Sequence, residues 1–165
     1  VLLGMRPRDP RYAALSLPAG ATTVDGTLGC VIMVSPVIDP LGRYQYAKGL
    51  RQDCTPPAGL ADRVVSMHDQ YWRTEEAMAE GAPARILARG ERTATSPALC
   101  LARTYEEAHP RPDLDEFVRQ YRKAGGQIDV TIFEAEGEWL LSNLSTSVAR
   151  QALEQMTTFI HRHLG

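Results

Sequence analysis

The sequence predicts an α/β fold with a parallel sheet, and three observations predict it. Three short apolar runs have the length and bounding residues of strands. A helical stretch separates the second run from the third, and a long amphipathic helix follows the third. Strand, helix, strand, helix is a parallel pattern, and right-handed crossovers leave few topologies for it.

Val1-Leu2-Leu3-Gly4-Met5 reads as the last turn of an apolar helix. Arg6-Pro7 and Asp9-Pro10 end it, because a residue before proline is pushed out of the α region. A helix that opens at its own end, with no Met and no charged-then-apolar leader, is expected to have residues upstream.

Cys30 to Ser35 is the first strand, rich in β-branched residues and bounded by Gly26, Gly29 and Pro36; it is expected to be buried on both faces. Residues 43–94 follow, with Pro56-Pro57, Pro83 and the aromatics Tyr44, Tyr46, Tyr71 and Trp72. Two helices are expected there, Leu60–Tyr71 and Thr74–Glu80, and no strand. Between two core strands, such a stretch reads as a helical insertion covering one end of the sheet, a cap.

Pro97 to Ala102 is the second strand and Ile128 to Phe133 the third. Between them Leu114, Phe117, Val118 and Tyr121 fall at helical spacing, in a helix that Pro112 or Asp113 starts and Gly125-Gly126 stops. Ser147 to Leu164 carries Val148, Ala152, Leu153, Met156, Phe159, Ile160 and Leu164 on a helical stripe. Gly165 follows it, so this end reads as complete.

With 165 residues, 44% hydrophobic and 23% charged, the chain suits one globular domain, 1–165. A net charge of −2 gives no electrostatic footprint for nucleic acid. No apolar run approaches the ~18 residues of a membrane span. Cys30, Cys54 and Cys100 are odd in number and lack CxxC spacing, which fits reduced thiols in a cytoplasmic protein better than disulfides or a zinc site.

Parallel sheets place their sites at the carboxyl ends of the strands. Here those ends lead into Ser35-Pro36-Val37-Ile38-Asp39, into Arg103 through Glu106, Glu107 and His109-Pro110, and into Glu134, Glu136 and Glu138. Carboxylates at neighbouring strand ends that meet would share a proton or bind a cation.

Taken in order, a set of these residues resembles one family. They are Ser35-Pro36-Val37-Ile38-Asp39 with Arg43-Tyr44, Ser96-Pro97-Ala98-Leu99, Tyr121-Arg122-Lys123-Ala124-Gly125-Gly126, Phe133-Glu134, and Met156 with Phe159, Ile160, His163 and Leu164. Arg8-Asp9-Pro10-Arg11-Tyr12 adds to them. The whole is similar to the C-terminal half of an α/β-hydrolase of the hormone-sensitive-lipase-like group, the acetyl esterase and lipase type. The resemblance covers nearly the whole chain. It implies a three-layer αβα fold with a mainly parallel sheet, a helical cap over 43–94, a Ser–His–Asp triad, a serine acyl-enzyme, and no metal or organic cofactor.

The triad positions depart from that pattern. No Gly-x-Ser-x-Gly and no His-Gly-Gly occurs, so the front half with the nucleophile elbow is absent from these residues. Ser35, Ser66, Ser96, Ser142, Ser145 and Ser147 lack that setting and read as structural. The family's acid position falls on Glu106, an acceptable replacement for aspartate, with Glu107 beside it. The histidine position falls on Glu138, a poor substitute because a carboxylate is a weaker base than imidazole. His109, three residues after Glu106, is the one local alternative base. His161 and His163 favour a helix C-terminus, His68 reads as packing or exposed, and Cys100 as a buried small hydrophobe. Tyr44, Tyr46, Tyr71 and Trp72 either line an acyl pocket or form the cap's own core.

Three readings stand: the back half of an esterase or lipase, not expected to act alone; an inactive hydrolase-like binding module; or a half domain complemented by another chain. The implied partner is a small ester or acyl ligand, with no nucleic acid and no membrane span. A half sheet exposes an apolar edge, so self-association or a complementary N-terminal half is expected.

Overall fold

The structure, a computed structural model, describes residues 2–9, 19–20, 26–53, 59–103, 109–134 and 140–165. Two compact units divide the chain. One comprises Val1–Ser35, Arg92–Thr104 and Tyr121–Gly165; the other comprises Pro36–Glu91 and Tyr105–Gln120.

The first unit opens with a helical turn, α1 (Leu2–Met5), and holds strands β1 (Val31–Val34), β2 (Ala98–Arg103) and β3 (Ile128–Phe133). They form one parallel sheet in the order β1-β2-β3, with Val34 opposite Leu101 and Arg103 opposite Phe133. The third strand lies where its β-branched run predicts. The second is shifted by one residue, because Pro97 has no N–H to give a ladder.

β2 is buried from Ala98 to Ala102, as a central strand must be, and Cys100 is fully buried at its middle. β1 departs from the expectation of burial on both faces: Val31, Ile32 and Val34 remain half-exposed. Its apolar run is the same as that of a central strand, but among the described residues it has only β2 beside it. β3 exposes Asp129 and keeps Ile128 and Phe133 inside.

Helix α7 (Ser147–Leu164) covers one face of the sheet. Leu99, Leu101 and Phe133 pack there with Leu140, Ala152 and Phe159. Thr146 caps α7 by accepting from Ala149 N at 3.1 Å, which satisfies one of the helix's orphan donors. The apolar stripe read from the sequence is wider than the buried face. Leu153, Ile160 and Leu164 lie on an adjacent row and are exposed.

The second unit is helical: α2 (Pro40–Asp53), α3 (Gly59–Trp72), α4 (Glu75–Glu80), α5 (Pro83–Ala88) and α6 (Arg111–Lys123), whose last three residues belong to the first unit. Leu41, Tyr44 and Ala47 of α2 pack with Val64 and Val65 of α3 and Met78 of α4; Leu60 and Trp72 pack against them. Sequence periodicity finds α3 and α4 but not α2 or α5. Gly42, Gly49 and many polar residues mask α2, whose helicity rests on that packing. Pro83 reads as a break but stands in the first turn of α5, where its missing N–H costs nothing. No helix among the described residues is long and apolar enough to cross a membrane.

Candidate functional site

Three parallel strands necessarily end on one side of the sheet. The chain leaves β1 at Ser35, β2 after Arg103 and β3 after Phe133. Ser35 is buried and takes a left-handed backbone, φ 45°, while its N–H donates to Leu101 O at 2.8 Å. The ladder therefore runs one residue past β1 before the chain turns sharply into Pro36, a conformation that costs a non-glycine residue about 1 kcal/mol.

Glu106, Glu107 and Glu138 lie outside the described residues. Their neighbours in the chain do not: Arg103 and Phe133 are paired across β2 and β3, so both loops begin side by side. His109 is half-buried, two residues ahead of α6. Cys54 is also outside the described residues. His161 and His163 stand in the last turn of α7, as expected. Tyr44 is buried and Trp72 partly so, as core of the second unit, whereas Tyr46 and Tyr71 are exposed.

A polar cluster joins Asp39, Arg85 and Asp113. Asp39, just before α2, accepts from Gly42 N at 2.9 Å and from Arg85 Nε of α5 at 2.9 and 2.8 Å through its two oxygens. Asp113, in the first turn of α6, faces the same place. A β-carbon on Gly42 would stand 3.0 Å from Asp39 Oδ2 and 3.4 Å from Asp113 Oδ2. Partial burial, and then the Asp39 charge, push the Asp113 carboxyl up to about 6, while Arg85 opposes the rise. Asp113 is thus the carboxyl of this cluster that takes up a proton as pH falls toward about 6. These residues come from three separate segments, so no spacing signal links them.

Among the described residues, no group of three or more His, Cys, Asp or Glu side chains could hold a metal ion.

No protein-family model and no curated protein sequence matches the chain. Solved structures do match its fold. The esterase EstE5, soaked with p-nitrophenyl butyrate, superposes with a TM-score of 0.61 at 14% identity, over 83% of this chain and 44% of its own. A Pyrococcus furiosus esterase matches with a TM-score of 0.54 at 12% identity, over 84% and 46%. A thermophilic esterase from the planctomycete Thermogutta terrifontis, with propionate bound, matches with a TM-score of 0.55 at 18% identity, over 90% and 47%. The chain thus spans less than half the length of these esterases. Its fold is that of the α/β-hydrolases, and its partial coverage fits a C-terminal part of that fold.

Proposed function

We propose that this chain forms the acid and base side of an ester-hydrolysing α/β-hydrolase, with Glu106 in the place of the triad acid. The observation that carries this reading is the parallel β1-β2-β3 sheet, with both candidate loops leaving adjacent strand ends, in a fold shared with three esterases. The chemistry is acyl transfer. A serine hydroxyl from outside these residues attacks the ester carbonyl, the alcohol leaves, and water releases the acid from the acyl-enzyme.

Glu106 serves by orienting and charge-balancing an imidazole. Glu138 occupies the position of that imidazole, and a carboxylate there is too weak a base to take the serine proton well at neutral pH. It would also meet Glu106 as a like charge. His109 is the alternative base. Without Gly-x-Ser-x-Gly or His-Gly-Gly, these residues do not turn over an ester alone. Short acyl esters are the substrate class of choice, since one similar esterase was soaked with a butyrate ester and another holds propionate.

The test is hydrolysis of p-nitrophenyl butyrate by the full-length protein and its Glu138→His variant. A gain on introducing histidine supports the reading. A folded variant that carries a serine elbow and shows no gain overturns it. Glu138 itself favours a second reading, an inactive relative kept for binding, whose mark is saturable uptake of an acyl ligand with no turnover. The partly exposed β1 favours complementation by another chain, which predicts association in gel filtration.

A further inference from the structure

The hydrogen-bond phase of the sheet fixes which groups of β3 face outward. Ala98 N donates to Gln127 O at 2.9 Å, and the parallel register then gives the β2 ladder to the backbones of Asp129, Thr131 and Phe133. Ile128, Val130 and Ile132 turn their N–H and C=O the other way, to the outer edge. β3 ends the strand order, and among the described residues neither Val130 nor Ile132 has a backbone partner on that edge. Such a row of unpaired donors and acceptors is a template for another extended chain. Arg122 marks the same side of the strand, since its Nη2 donates to Ile128 O at 3.1 Å.

A groove of about 550 Å³ opens here, lined by β3, α7 and Arg122. Its two ends differ in charge. At the start of β3, Arg162 pairs with Asp129 at 3.0 Å, and Arg122 keeps further N–H groups that no described residue takes. Farther along, the Thr131 hydroxyl donates to Gln155 Oε1 at 2.7 Å, and Glu154 next to Gln155 has no cation among the described residues. These two contacts run α7 antiparallel to β3. Glu154 and Arg162 therefore stand roughly two helical turns apart, about 12 Å along the groove. Unspent positive charge sits at the Ile128 end and unspent negative charge at the Thr131 end.

We propose that β3 and this groove take the C-terminal end of an extended peptide, laid antiparallel to β3 with its free carboxylate at Arg122 and a basic side chain near Glu154. Unpaired strand groups are completed by another extended backbone. A residue placed opposite Ile128 in a hydrogen-bonded antiparallel pair donates its N–H to Ile128 O and accepts from Ile128 N–H. When that residue is the last of its chain, the acceptor is a carboxylate oxygen, and the second oxygen meets the Arg122 guanidinium. The residues two and four places earlier then pair with Val130 and Ile132. Side chains at the alternate positions enter the groove on the Asp129 and Thr131 side. The one three places before the end falls opposite Thr131, about 10 Å from the carboxylate, and a basic side chain there reaches Glu154. The proposal goes beyond ester hydrolysis and does not depend on it, because its readout is binding.

The test titrates the isotope-labelled full chain with the peptide acetyl-Ser-Lys-Val-Thr-Val and follows its backbone amides by NMR. The Ile128, Val130 and Ile132 amides are expected to shift together and to exchange more slowly with solvent. Amidating the peptide's C-terminus, or replacing its lysine by glutamate, is expected to weaken binding about tenfold or more, the loss of a charge-assisted contact. Arg122→Gln should weaken the free-acid peptide by a similar factor and leave the amidated one unchanged. Glu154→Lys, at an exposed position, should keep the fold and reverse the preference, so that the glutamate peptide binds better than the lysine one. Equal affinity for acid and amide would overturn the site, as would β3 amides that stay unmoved. Protection of Val130 and Ile132 without peptide, in a chain that dimerises, would overturn it too, because a second copy then holds the edge. Should Arg122→Gln unfold, the comparison of acid with amide and the Glu154→Lys titration decide.

Discussion

One N–H of Arg85 serves both carboxylate oxygens of Asp39, at 2.9 and 2.8 Å, joining residues 46 positions apart. The second carboxylate at that place, Asp113, has no cation of its own among the described residues. The asymmetry fits the Asp113 carboxyl being pushed up to about 6, while the guanidinium is hydrogen-bonded to Asp39.

Asp113 makes stability fall as pH rises. Its folded value of about 6 lies above the ordinary 3.8, so between these the fold binds more protons than the unfolded chain. Its favourable contribution is complete below 3.8 and is lost as pH rises through about 6. Asp113→Asn is therefore expected to stabilise by about 1 kcal/mol at about pH 7.5, after discounting for solvent screening at a half-exposed site, and to change little at about pH 4. Urea unfolding at the two pH values checks this; an equal effect at both would show that Asp113 is not the titrating group.

Arg85→Gln leaves the Asp39 carboxylate, whose side chain is 12% exposed, without its cation. A loss of about 1–2 kcal/mol is expected from a hydrogen-bonded charge of this kind. The Asp113 titration should move further up, since Arg85 holds it down. A carboxyl resonance of Asp113 that stays where it was would contradict the shared electrostatics.

Gly42→Ala should destabilise, although alanine is the better helix former by about 1 kcal/mol. Its β-carbon would sit 3.0 Å from Asp39 Oδ2, and Arg85 and Gly42 N hold that carboxylate so that it cannot retreat. Thermal unfolding of the variant measures the sign. A raised midpoint would mean the carboxylate yields.

Tyr121 donates its hydroxyl to Ser96 O, and its ring fills the space where Gly126 lacks a side chain. Tyr121→Phe should cost about 1 kcal/mol by leaving a carbonyl unserved. Gly126→Ala should cost more, because the β-carbon and the ring claim the same volume. Equal unfolding midpoints for both variants and the parent would refute this packing.

Local patterns carried much of the fold. The run Ile128–Phe133, the apolar spacing within Arg111–Lys123 and the stripe of Ser147–Leu164 became β3, α6 and α7 because each element's periodicity is a property of its own segment. α2 was illegible because its helicity depends on Tyr44 and Ala47 meeting Val64 and Met78, residues of other helices. Of the candidate site, the shared side on which the chain leaves β1, β2 and β3 could be read from the rule that parallel strands end together. The pairing of Asp39 with Arg85, its closeness to Asp113, and the meeting of Arg122 with the outer edge of β3 could not. Charges and donors act through space, over distances that folding sets and that no spacing along the chain records.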